Sequence, residues 1–97
     1  LALENDRFDI NLNAGALYYN TAIEMNKQMN SLPLEKEKEY ESLKVERNKL
    51  YTKALPYFES AHRIDSTSTD CMLALKEIYV RLEQKDKAEE MKQKLGN

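Results

Sequence analysis

A chain of 97 residues makes one small domain, here 33% charged and 41% hydrophobic with a net charge of −2. That is too apolar for a disordered chain, and the interspersed signs leave no basic face, which argues against nucleic acid or an anionic membrane surface as partner. A single cysteine forbids an intrachain disulfide and leaves the compartment open, and no run of about 18 apolar residues exists to insert into a membrane. The chain starts at Leu1 rather than Met and shows no signal-peptide pattern, so it reads as a piece of a longer or processed protein.

Residues 1–7 are short and mixed. From Phe8 or Asp9 a first helix is expected, with Ala14, Tyr18, Ala22, Met25 and Met29 on one stripe. Leu12, Ala16, Tyr19 and Ile23 form a second stripe, so two sides of this helix should be contacted. Asn30-Ser31-Leu32-Pro33 stops it. A second helix runs from about Leu34 to Ile64, with Tyr40, Leu43, Arg47, Leu50, Ala54, Tyr57 or Phe58, Ala61 and Ile64 in register. The register holds on both sides of Pro56, which predicts a helix that continues with a kink rather than breaks.

Asp65-Ser66-Thr67-Ser68-Thr69-Asp70 is rich in N-cap residues and separates the second helix from a third carrying Met72, Leu75, Tyr79 and Leu82. A turn at Glu83–Asp86 follows, with Asp86 and Glu89 spaced as a capping-box variant. The fourth helix carries Ala88, Met91 and Leu95, and Gly96 suits its C-terminal cap. Short connections predict antiparallel neighbours.

Asp9, Leu12, Leu17 and Tyr18 align with Asp70, Leu73, Ile78 and Tyr79 at a constant offset of 61 residues. The chain thus divides into two helix pairs, 8–65 and 66–97. Ala14-Gly15-Ala16-Leu17-Tyr18, followed by Ala54-x3-Phe58-x2-Ala61-x2-Ile64-Asp65, resembles the tetratricopeptide repeat. Met72, Leu75, Tyr79 and Ala88 continue the resemblance, and Leu3-Glu4-Asn5 fits the remnant of a preceding unit's turn. Ser66 replaces the family's proline, Lys76 its small residue, and Lys92 and Leu95 its later aromatic and alanine. The last helix is therefore expected to be a polar-faced cap. The family's unit has about 34 residues, which leaves about 27 extra here, between Glu24 and about Leu50. They are expected to lengthen both helices of the first pair.

The resemblance implies an all-α, right-handed fragment of a helical-hairpin solenoid with four helices and an elongated first hairpin. It points to bacterial repeat proteins of unassigned role, and the expectation for this chain is a scaffold or peptide-docking module. In that family the first helix of each pair lines a concave surface. Carried over, the partner-binding residues are Leu12, Ala16, Tyr19 and Asn20, then Leu73, Glu77 and Val80.

No catalytic constellation stands out. His62 and Cys71 occur once each; a Cys–His nucleophile pair is conceivable, but the expectation is a semi-buried thiol and a helix-end cation. Histidine and cysteine are too few for a metal site, and no Gly-rich phosphate loop is present, so no enzyme activity, metal or cofactor is expected. The Glu/Lys-dense Leu34–Glu41 segment reads as a solvated helix face, and Tyr18, Tyr57 and Tyr79 as core. The expected function is protein or peptide docking on the concave face. The competing reading is a homo-oligomer formed through the long hairpin, with Met29 and Leu43 in its seam.

Overall fold

The computed structural model describes the backbone of residues 2–96 and the side chains of residues 7–96. Its four helices are α1 (Ala2–Ser31), α2 (Glu37–Ile64), α3 (Thr69–Arg81) and α4 (Lys85–Lys94), and the described residues contain no strand. Each helix packs on the next in chain order, most extensively α1 on α2. At 1.5 Å per residue α1 and α2 are about 45 and 42 Å long, whereas α3 and α4 are about 20 and 15 Å. The short pair therefore covers one half of the long hairpin, and the molecule measures 53 × 27 × 16 Å.

Helix α1 starts at Ala2, earlier than Phe8 or Asp9. Residues 2–7 hold Ala, Leu, Glu and Arg and no breaker, so propensity carries the helix past the end of its apolar stripe. Leu3-Glu4-Asn5 are helical rather than a turn, and their side chains lie outside the described residues. The other end stops where expected. Pro33 disfavours helical geometry at Leu32, and the Ser31 hydroxyl donates to the Gln28 carbonyl at 2.8 Å. Helix α2 then begins at Glu37, with Glu37 and Glu39 placed favourably in its first turn.

Helix α2 passes through Pro56 without a break. Pro56 and Thr52 are both exposed, so the Thr52 carbonyl that loses its helical donor faces water. Between α2 and α3, Asp65 accepts from the Thr67 backbone N–H at 3.0 Å and from the Thr67 hydroxyl at 2.6 Å. These bonds hold the Asp65 carboxyl below its ordinary pKa. Ser68 caps α3 by accepting from the Cys71 N–H at 3.3 Å.

The α3–α4 turn differs from expectation. Helix α4 begins at Lys85, its cap residue is Gln84, and no side chain caps it, so Asp86 lies in the first turn and forms no capping box with Glu89. Order comes instead from the end of α3. Gln84 N–H donates to the Tyr79 carbonyl at 2.8 Å and Glu83 N–H to the Val80 carbonyl at 3.1 Å, the paired bonds of a Schellman motif. That motif needs a left-handed residue, and here it is Glu83 at φ 60°. Glycine takes this conformation without the Cβ clash, so Glu83→Gly should raise stability by about 1 kcal/mol. Urea denaturation checks this, and a lower midpoint contradicts it.

The largest fully buried side chains are Tyr51, Phe58, Leu75, Ile78 and Cys71. Ala54 and Ala61 are sealed beside Phe58, and the ring meets α1 at Gly15, where an added Cβ would lie 3.1 Å from it. The tyrosines redistribute the expected core. Tyr79 is buried, and its hydroxyl donates to Glu59 Oε2 at 2.8 Å. Tyr57 is 37% exposed and stacks on half-buried Tyr18 at the surface, with centroids 6.0 Å apart. Tyr51, 0% exposed, takes the interior place. The Leu34–Glu41 segment is exposed throughout, and so are the charged positions of α4. Among the described residues the five ion pairs are all i,i+3 or i,i+4 contacts at the surface, which contribute little to the fold.

Candidate functional site

Tyr19 of α1 packs on α2 and lies within electrostatic reach of α3. Its ring rests on Tyr51 at 6.0 Å and edge-on against Phe58 at 5.9 Å. Burial, and after it the Glu77 carboxylate, raise the Tyr19 phenol above its ordinary pKa. Glu77 Oε2 accepts from Arg81 Nε at 2.7 Å, one turn further along α3. The rim of the seam is therefore a phenol beside an ion pair. Arg81 is the member of this group that the sequence reading left out.

The other candidates divide by exposure. Leu12 and Ala16 are half-buried and lean on the core beneath Tyr19. Asn20 is exposed. Leu73 and Val80 are 50% and 51% exposed, and seven residues apart they share one face of α3. Thus Tyr19 and Glu77 come together across the two helices, while Leu73 and Val80 form the exposed apolar part. A concavity of about 650 Å³ opens elsewhere, at the hairpin turn beside Met29, Leu32, Leu34 and Tyr40.

Beyond α3, a buried polar network ties the hairpin together. Arg47 is 6% exposed and lies over the Tyr51 ring at 5.8 Å. Its Nη1 donates to Asn26 Oδ1 at 2.8 Å, while Nε and Nη2 both donate to Asn48 Oδ1, at 3.1 and 3.0 Å. Asn26 Nδ2 donates in turn to Tyr51 Oη at 2.9 Å. Among the described residues no carboxylate pairs with Arg47, so neutral amides carry a buried charge. Arg47 stood on the apolar stripe of the sequence; the two asparagines gave no comparable signal.

Cys71 and His62 go to different partners. The Cys71 thiol donates to the Phe58 carbonyl at 3.2 Å, and burial pushes its pKa up to about 11, which leaves little thiolate near neutrality. His62 is not the expected helix-end cation. Its Nε2 lies 3.4 Å from Lys94 Nζ, and its Nδ1 finds no partner among the described residues. Burial, and after it Lys94, hold His62 below 6.5, against smaller opposite pulls from Glu90 and Asp65. The folded chain thus stays neutral at His62 where the unfolded chain takes up a proton. Stability from this group is complete above 6.5 and is lost as pH falls through the lower folded value. Urea midpoints measured from about pH 7 to 5 should fall less steeply for His62→Gln than for the parent chain; equal slopes would contradict this. Asp65 acts lower, its contribution being lost only as pH drops through its depressed value, below 3.8.

The described residues hold no cluster of three or more His, Cys, Asp or Glu side chains able to bind a metal ion, and no helix is long and apolar enough to cross a membrane. No family model matches the chain, and no curated protein or solved structure is significantly similar to it.

Proposed function

We propose that the chain is a non-catalytic protein-interaction module of the tetratricopeptide type, which docks a peptide or protein segment on the α1/α3 face. The observation that carries this reading is the pair Leu73 and Val80, half-exposed on one face of α3 beside the Tyr19–Glu77–Arg81 rim. Large aliphatic side chains next to a fixed charge pair suit a partner with apolar anchors and a few polar groups that set register. Two features support the repeat resemblance. Ala54, Phe58 and Ala61 are all buried, and Gly15 provides the small residue against the Phe58 ring.

Leu73→Glu is the discriminating variant, because Tyr19 also packs on Tyr51 and Phe58 and its truncation would disturb the core. Partners captured from native extract by the parent chain should be lost on Leu73→Glu while helicity is unchanged. Undiminished capture would reject the reading.

The second reading is self-association through the long hairpin. It draws support from Tyr40 and Val45, exposed along α2 beyond α3, with Leu43 half-buried between them. Met29 is only 3% exposed and sits within the hairpin, so Leu43→Lys is the variant that tests it.

A further inference from the structure

From Ile10 to Ile23 the chain carries no charged residue, although a third of its residues are charged. Part of that stretch faces the core, but part does not. Ile10 is 66% and Leu17 69% exposed, and among the described residues they are the exposed large hydrophobics of α1. With Arg7, Ala14, Thr21 and Glu24 they follow the alternating spacing of three and four that marks a coiled-coil seam. Arg7, Thr21 and Glu24 are exposed and Ala14 half-buried, so this stripe runs along the outside of α1. Leu12, Ala16 and Tyr19 point about 100° or more away from it, by helical geometry.

We infer that this stripe pairs with the same stripe of a second copy, antiparallel, about a two-fold axis through the Gly15–Ala16 peptide. The sequence is self-complementary in that arrangement. Arg7 faces Glu24, Ile10 faces Thr21 and Ala14 faces Leu17, each pair symmetric about the axis. The isologous contact brings each pair together twice. Opposite charges close both ends, and large side chains meet small ones between them. A parallel arrangement would instead set Arg7 on Arg7 and Glu24 on Glu24. Helix α4 offers no comparable face, because its exposed positions are all polar or charged. The seam is short, so association belongs in the micromolar class. It leaves the α1/α3 face of each copy free, and two linked faces would bind a divalent partner with avidity.

Sedimentation equilibrium of the 97-residue chain at low salt tests this. A concentration-dependent dimer is expected, and Leu17→Arg should be monomeric with unchanged helicity. Arg7→Glu and Glu24→Arg should each weaken the dimer about tenfold, since each reverses two facing pairs. Mixed in equal amounts, these two variants should form a heterodimer in preference to either homodimer, as read by native mass spectrometry. A parent chain that stays monomeric into the millimolar range overturns the inference. So does a dimer that survives Leu17→Arg and is lost on Leu43→Lys, or a mixture with no heterodimer excess.

Discussion

Phe58→Ala should destabilise the fold by about 4 kcal/mol, a large share of the 5–15 kcal/mol that holds a domain of this size. Phe58 is 1% exposed and lies where three helices meet. Gly15 of α1 lies against its ring, Tyr19 packs edge-on at 5.9 Å, and its own carbonyl receives the Cys71 thiol of α3. Truncation would leave a cavity that alanine and glycine neighbours cannot close, because they have no side chain to move. The adjacent aromatic provides the control. Tyr57 is 37% exposed and stacks on a half-buried ring, so Tyr57→Ala should cost about 1 kcal/mol or less. Urea denaturation of the two variants separates them, and similar midpoints would show that Phe58 is not the junction described.

The Arg47 network yields the second large effect, with opposite outcomes at two touching residues. Asn26→Leu removes the acceptor of a buried guanidinium and the donor to Tyr51. The charge then stays buried with less compensation, at a cost of about 3 kcal/mol. Arg47→Met removes the charge itself. Asn26 and Asn48 are half-buried and can turn to water, so this change should be neutral or stabilising by about 1 kcal/mol. On the Arg47→Met background, Asn26→Leu should lose most of its penalty. That double-mutant cycle isolates the coupling. Additive effects would show that the two side chains are not coupled, and a strong loss on Arg47→Met alone would show that the network stabilises through its charge.

The helix boundaries near Pro33 and in the Asp65–Asp70 cluster were legible because breakers and caps act locally. Continuity through Pro56 was legible because the apolar register does not change there. What depends on partners distant in the chain was not. Tyr51 falls between Leu50 and Ala54 on the stripe, and its burial follows only once Tyr19 and α3 close over that flank of α2. Tyr57 and Phe58 are adjacent and differ by about 100° around the helix, and only the approach of Gly15 selects Phe58. The lowered pKa of His62 depends on burial and, after it, on Lys94, 32 residues away. Asn26 reaches Arg47 only in the register that the hairpin adopts.

The site divides in the same way. Leu73 and Val80 entered through the repeat resemblance, which implies that the first helix of each pair lines the concave face, and both are half-exposed on α3. The meeting of Tyr19 with Glu77, and the part played by Arg81, are products of helix packing. The outer stripe of α1 was present in the sequence as a gap in charge. Its meaning depends on which face of α1 the hairpin buries.

The central claim is that a partner segment docks across α1 and α3. Amide chemical-shift mapping with a peptide selected on the immobilised chain tests it most directly. The account predicts changes concentrated in Leu12–Asn20 and Leu73–Val80, and their loss with Leu73→Glu. Changes confined to the hairpin turn or to α4, with binding indifferent to Leu73→Glu, would contradict it.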